Sequence, residues 1–269
     1  MLQQKISSWI PFIFLLSLFI ISCDNGATGS EEGMGSMEIR MYDAPIDSAD
    51  EVNVFIERVE VNEEGTEGGW EVISEPQQTY NLLELTNGAF EVLGEEELEP
   101  GIYQQIRLIL GTDGHSVVVG EDVFDLTVPS GPQTGIKLNV NAEIEADITY
   151  VLLLDFDASR SVVEAGRSGM YLLKPVIKAT NEAVTGNIAG TVNPAAAEPV
   201  VYAIAGSDTV GSTIADTTSG DFRIIGLEAG SYTVAVNPRD TTYADKNVPD
   251  ITVMVGETNN IGTVEVAQQ

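Results

Sequence analysis

From residue 36 onward, apolar and polar residues alternate one for one in short runs separated by turn-forming residues, and a period of two admits strands and little else. The runs Met37-Glu38-Ile39-Arg40-Met41, Val52-Asn53-Val54-Phe55-Ile56-Glu57-Arg58-Val59-Glu60-Val61 and Tyr80-Asn81-Leu82-Leu83-Glu84-Leu85 set the pattern. It recurs at 103–110, 116–119, 123–128, 136–140, 150–156 and 171–179. After the polar stretch Asn181-Glu182-Ala183 it restarts at 188–192, 200–205, 222–227, 232–236, 251–255 and 261–266. No stretch carries a helical stripe longer than a turn or two. The expected fold is all-β: two tandem antiparallel Greek-key β-sandwich domains, at 36–181 and 184–269.

One internal echo links the two blocks. Leu98-Glu99-Pro100-Gly101-Ile102-Tyr103 reappears as Leu227-Glu228-Ala229-Gly230-Ser231-Tyr232. The glycine turns the chain into a strand, and the tyrosine two residues later reaches back across the corner with its hydroxyl, as in the tyrosine corner of Greek-key sandwiches.

The first 22 residues follow a different logic. Lys5 and the amino terminus give a positive start, and residues 9–21 form an uncharged apolar run too short to span a bilayer comfortably. Ile20-Ile21-Ser22-Cys23 closes it with an apolar residue at the third position before the cut, a small residue just before it and a thiol. This pattern resembles the bacterial lipobox. The resemblance implies a lipoprotein signal peptide at 1–22, cleavage before Cys23, and a palmitate-type diacylglyceryl thioether on Cys23 as the membrane anchor. Cys23 is the only cysteine, so no thiol remains for disulfides, metal binding or nucleophilic catalysis. Residues 23–35, rich in Gly, Ser and Glu, have the composition of a flexible tether.

Asp and Glu outnumber Lys and Arg by 42 to 12, for a formal net charge of -30. Such a surface repels nucleic acid and anionic headgroups, so nucleic acid is excluded as a partner. The same acidity suits a saline habitat, cation binding or plain solubility.

Candidates for chemistry are few. His115 is the only histidine and follows the turn signal Thr112-Asp113-Gly114, which places it at a solvated loop tip. Phosphate-loop, dinucleotide, nucleophile-elbow and zinc patterns are absent from the sequence. Asp155 and Asp157 share one face of a strand and have the residue types of an acid/base pair, but strand-end Asp commonly binds turn backbone and Arg160 is close enough to neutralise one of them. Asp43, Asp47 and Asp50 cluster near Pro45 with the hard oxygens calcium requires, yet their spacing is not that of an EF-hand and turn capping is the simpler reading. Glu63-Glu64 and Glu95-Glu96-Glu97 read as soluble hairpin loops. Sugar binding would need exposed aromatic platforms; Trp70, Tyr42, Tyr202 and Tyr243 are the candidates, with Trp70 better suited to packing under a hairpin.

Two family resemblances rest on longer patterns. Asp43-Ala44-Pro45, Ile56-Glu57-Arg58-Val59-Glu60-Val61, Leu82-Leu83-Glu84-Leu85, Ile106-Arg107-Leu108, Pro129-Ser130-Gly131, Leu154-Asp155-Phe156-Asp157-Ala158 with Ser161-Val162-Val163, and Tyr171-Leu172-Leu173-Lys174-Pro175-Val176-Ile177 together resemble the bacterial domain of unknown function 4382 over about residues 35–180. That resemblance brings no activity. Gly190-Thr191-Val192, Pro199-Val200-Val201-Tyr202-Ala203, Ser219-Gly220-Asp221-Phe222, Gly226-Leu227-Glu228-Ala229-Gly230-Ser231-Tyr232 and Val255-Gly256-Glu257 resemble carboxypeptidase regulatory-like, transthyretin-like modules of the carbohydrate-binding-like fold group. Such modules imply a structural or binding appendage and no peptidase activity.

The sequence thus points to a non-catalytic lipoprotein of a diderm cell envelope, held on the outer membrane at its periplasmic face or at the cell surface. It needs no cofactor, and its partners are the membrane through Cys23 and an envelope protein or glycan. The rival readings are a surface carbohydrate-binding or adhesion protein, and, further off, a carboxylate-dependent hydrolase or calcium-binding module.

Overall fold

A computed structural model describes residues 33–46, 49–65, 68–129, 135–166 and 169–269. Cys23, the signal and most of the tether lie outside the described residues, as does Asp47. The alternating runs form strands: β1 (Gly35–Ala44), β2 (Glu51–Glu63), β3 (Glu71–Ser74), β4 (Gln78–Asn81), β5 (Glu91–Leu98), β6 (Gly101–Leu110), β7 (Ser116–Val119), β8 (Asp122–Thr127), β9 (Ile136–Ile144), β10 (Thr149–Asp157), β11 (Val162–Glu164), β12 (Tyr171–Leu173) and β13 (Ile177–Asn181). After a 3-10 turn at Glu182–Val184 come β14 (Thr185–Asn193), β15 (Pro199–Ala205), β16 (Asp208–Ile214), β17 (Asp221–Glu228), β18 (Gly230–Pro238), β19 (Lys246–Val253) and β20 (Thr258–Glu265). A single helical turn, α1 (Ala158–Ser161), follows β10. The fold is all-β.

Among the described residues, β1–β13 build a four-stranded sheet in the order β13-β10-β1-β5 and a nine-stranded sheet in the order β11-β12-β8-β7-β2-β6-β9, with β3 and β4 also on β2. The two sheets share one core. Met37, Ile39 and Met41 of β1 and Leu152, Leu154 and Phe156 of β10 face Val54, Ile56, Ile106 and Leu108 of β2 and β6. The alternate residues of β1 face outward, where Arg40 Nη1 donates to both carboxylate oxygens of Glu182 at 2.9 Å and the guanidinium lies over the Phe90 ring. Strands β14–β20 make a three-stranded sheet, β17-β14-β20, and a four-stranded one, β16-β15-β18-β19. Their core is separate: Ile188, Val192, Val201, Phe222, Ile224, Val234 and Val236.

The expected antiparallel pairing holds except at three contacts, where β1 pairs with β10, β8 with β12 and β14 with β20 in parallel. The β1–β10 pair lies mid-sheet and is covered on both faces at its far end. Accordingly Leu152, Leu153 and Leu154 are all buried, a continuous apolar run rather than an alternation.

Two local expectations need correction, and one strand goes unread in the sequence. The run at 80–85 is strand only to Asn81; Leu82–Glu84 then form a 3-10 turn whose start is capped by Asn81 Oδ1 accepting from Leu83 N at 3.2 Å. Glu95, Glu96 and Glu97 are not a loop but part of β5, the edge strand on β1. A bulge opposite Ile39 and Arg40 puts Leu93 and Leu98, five residues apart, into the core, which hides the strand from a search for period two. The glutamates on this edge discourage further strand pairing. Strand β16, with its polar Asp208-Thr209 start, shows itself only through its pairing with β15.

Both tyrosine corners form. Tyr103 Oη donates to Glu99 O at 3.2 Å and Tyr232 Oη to Glu228 O at 2.6 Å, each where the chain passes from one sheet to the other, β5 to β6 and β17 to β18. Burial and the nearby Glu71, Glu63 and Glu99 push the Tyr103 hydroxyl up to about 12, so it stays a donor. Neither Gly101 nor Gly230 adopts a positive φ, so the corner does not depend on glycine's left-handed freedom.

Candidate functional site

The ends of β1 and β10 nearest α1 meet the second group of strands. At this junction the Asn87 amide donates to Thr213 Oγ1 at 2.6 Å, and Asn87 Nδ2 donates to Asp221 O at 3.1 Å. Tyr42 packs against Gly226, whose φ is +72° and where a Cβ would lie 2.5 Å from the Tyr42 hydroxyl oxygen. Glycine is required there twice over, by backbone and by space.

Beside this contact lies a cleft of about 480 Å³, within the rough range of small-molecule sites. Asp155, Asp157, Arg160 and Lys178 line one wall; Tyr202, Thr209 and Ser212 line the other. Pairing register explains the acidic wall. Asp155 lies between Tyr42 on β1 and Lys178 on β13, all on the face of the sheet opposite the core.

Asp155 is 9% exposed and its Oδ1 is buried without a hydrogen-bond partner. Burial, reinforced by the charge of Asp157 and opposed by Lys178 and Arg160, pushes its carboxyl up to about 7. Lys178 does not close the gap: its Nζ reaches across the junction to Glu228 Oε1 at 3.9 Å. Leaving a buried carboxylate oxygen without a donor costs on the order of 1–3 kcal/mol or more. Burial and the Asp155 charge likewise raise the Tyr42 hydroxyl well above its usual range.

Asp157 plays a different part from its neighbour. Its Oδ1 accepts from Arg160 N at 2.9 Å and from Ser159 Oγ at 2.6 Å, capping α1, while Arg160 Nη1 sits 3.8 Å from Oδ2. The two acids therefore share a face as their spacing predicts, one bound to backbone and one desolvated. Asp43, on the core side of β1, accepts from Ala158 N at 2.9 Å through Oδ1, and its Oδ2 is buried without a partner. Burial raises its carboxyl well above the usual range despite that bond, and Asp155 and Asp157 add to the rise.

Of the acids considered for calcium, Asp47 lies outside the described residues, and Asp43 and Asp50 hold different partners. Asp43 points to α1, whereas Asp50 Oδ2 accepts from Gly120 N at 2.7 Å in the β7–β8 turn. Among the described residues, no group of three or more His, Cys, Asp or Glu side chains is arranged to hold a metal ion. His115 overturns its loop-tip reading. It is 4% exposed, with Nδ1 accepting from Phe55 N at 3.0 Å and Nε2 within 2.9 Å of Gly111 O, an arrangement that fixes the Nε2–H tautomer. The glycines of that turn let the Phe55 side chain pack against it: a Cβ on Gly111 would lie 2.4 Å from the Phe55 ring.

The aromatic candidates are dispersed. Trp70 precedes β3 with Arg107 over its ring at 4.2 Å and Lys137 at 5.5 Å. Arg107 also binds Glu60, together with Arg58 at 2.7 Å; burial alone would raise the Glu60 carboxyl, but these two guanidinium groups bring it below the usual range. Tyr42 is buried, Tyr243 is half-buried beside Gln268, and Tyr202 alone of the four lines the cleft.

A family model described as Domain of unknown function (DUF4382) matches residues 34–175. The chain belongs to that family. The match covers β1 to β12 and the acidic wall of the cleft up to Lys174-Pro175, leaving the Tyr202 wall outside it. No curated protein matches the chain. Among solved structures it is similar to a type II cohesin–X-dockerin complex from Acetivibrio cellulolyticus, at 17% identity and a TM-score of 0.25, over 31% of this chain and 58% of that one. It is also similar to GBS52, the minor pilin of Streptococcus agalactiae, at 12% identity and a TM-score of 0.23 over 87% and 96% of the two chains. A fimbrial protein from Bacteroides ovatus gives 7% identity and a TM-score of 0.22 over 87% and 50%. The chain spans about three fifths of the cohesin–dockerin chain it matches. Likenesses at this level are of β-rich architecture and bear on nothing finer.

Proposed function

We propose that this DUF4382 protein is a non-catalytic module of the bacterial cell envelope, anchored to the outer membrane through lipid on Cys23 and acting by binding or as a structural element. The observation that carries the non-catalytic reading is how the reactive side chains are used. His115 is locked between two backbone groups, and Asp157, Asp43 and Asp50 each accept from a backbone amide. A general base must be free to take a substrate proton: His115, Asp157 and Asp50 hold other partners, Asp43 is buried on the core side of β1, and Asp155 is left in the cleft with no second free acid or base beside it, among the described residues lining the cleft, to complete a pair. Residues 186–266, with their resemblance to carboxypeptidase regulatory-like modules, fit the same role as a binding appendage. The partner class is an envelope protein or a glycan. The scatter of Trp70, Tyr42 and Tyr243 away from one another favours the protein.

Metabolic labelling with an alkyne fatty acid tests the anchor: wild-type protein takes up label, and Cys23→Ala does not. Label on the variant would sink the lipid reading. A glycan array run beside a pull-down from outer-membrane extract tests the partner class, and saturable binding to one glycan would replace the protein with that sugar.

A further inference from the structure

We propose that the junction cleft recognises an organic cation, a primary ammonium or guanidinium group such as a lysine or arginine side chain of a protein partner, which donates to Asp155. This deepens the binding reading above and is independent of the lipid anchor. The charge of the cleft is set from the floor upward. Asp155 lines it, nine-tenths buried, with an oxygen that has no donor. The two cations on the same wall do not serve it: Arg160 lies beside Asp157, Lys178 reaches Glu228, and both are well exposed to water. An anion would meet this acid and find cations already paired. A cation instead brings the missing hydrogen-bond donor and a charge of the right sign, and the large negative charge of the chain attracts cations to its surface.

The remaining lining suits the rest of such a group. Val176, Ile177 and Val210 offer apolar surface for a methylene stem. Tyr202, on the facing wall, supplies an aromatic surface of the kind that attracts cations, and Thr209 and Ser212 bring hydroxyl oxygens able to accept further N–H groups. A carboxylate kept in a desolvated place without a partner is costly to the fold, as expected of a group whose partner arrives from outside.

The test uses the full-length protein in detergent micelles and amide NMR. n-Butylammonium and methylguanidinium are titrated against tetramethylammonium, which carries the same charge but no N–H. The expected result is saturable shifts at Lys178, Thr209 and Ser212 with dissociation constants on the order of millimolar for the two donors, and at least tenfold weaker binding of tetramethylammonium. A blocked Gly-Lys-Gly peptide distinguishes a polypeptide side chain from a free amine: binding at least as tight as n-butylammonium supports the partner stated here, and exclusion of the peptide overturns it. Asp155→Asn should abolish the shifts without loss of stability. Equal response to all three cations, or unchanged binding by the variant, overturns the assignment; the cation comparison needs only wild-type protein. Lipidation at Cys23 and capture of a partner are measured separately, so a cleft that ignores ammonium leaves the envelope-module reading standing.

Discussion

Replacing Asp155 with Asn should stabilise the protein at pH 8 and leave it nearly unchanged at pH 4. The side chain is almost fully buried, and its carboxyl is raised from 3.8 to about 7 by burial and by Asp157. An acid whose folded-state value is raised holds its proton in the folded chain over a range where the unfolded chain has lost it. The resulting stability is complete below pH 3.8, declines as pH rises, and is gone once pH passes about 7. A rise of about three units at about 1.4 kcal/mol each makes the ionised group cost roughly 4 kcal/mol by pH 8. Asn has the same shape and never ionises, so the variant should gain about that amount at pH 8, with the gain shrinking towards zero near pH 4. Asp43 changes in the same direction and Glu60 in the opposite one, which makes the difference between wild type and variant at each pH the informative quantity. Urea unfolding at constant ionic strength from pH 4 to 8 measures it; thermal melts should shift by roughly 2–4 °C per kcal/mol. A difference that is flat with pH, or a variant less stable at pH 8, would refute the claim that Asp155 lacks a partner.

Three further outcomes follow from the packing. Tyr232→Phe leaves Glu228 O without its 2.6 Å donor and should cost about 1–2 kcal/mol in denaturant unfolding, with Tyr103→Phe, at 3.2 Å, costing less; no loss at either site would remove the corner from the account of stability. His115→Ala removes an acceptor from Phe55 N and a donor from Gly111 O at a buried site, so it should destabilise by about 2–4 kcal/mol, whereas a change within 0.5 kcal/mol would mean the imidazole is solvated after all. Because each group of strands has its own core and its own tyrosine corner, residues 36–181 and 184–269 expressed separately should each give β-type circular dichroism and a cooperative melt. Folding of the joined chain alone would show that the Tyr42–Gly226 junction is indispensable.

The sequence by itself determined the class of fold and the corners. Period-two alternation is a local property: each side chain's face follows from its place in the strand, so Met37, Ile39 and Met41 identify their own core side without knowledge of their neighbours. The tyrosine corner is equally local, since its donor and acceptor lie four residues apart. Asp157 as a cap beside Arg160 was legible for the same reason. What the tertiary structure decided depends on residues distant in sequence. Strand β5 is a strand because β1 pairs with it across a bulge, and its glutamates conceal that from any local pattern. His115 reads as a loop residue until the backbone amide of Phe55, sixty positions away, donates to its ring and the imidazole is buried. The difference between Asp155 and Asp157, two residues apart and alike in sequence, is decided by the sheet that arrives from the second group of strands: it brings Tyr202 and Ser212 to face Asp155 and draws Lys178 away to Glu228. Desolvation is a property of what surrounds a group from all sides, and in this chain those surroundings come from strands joined only through the fold.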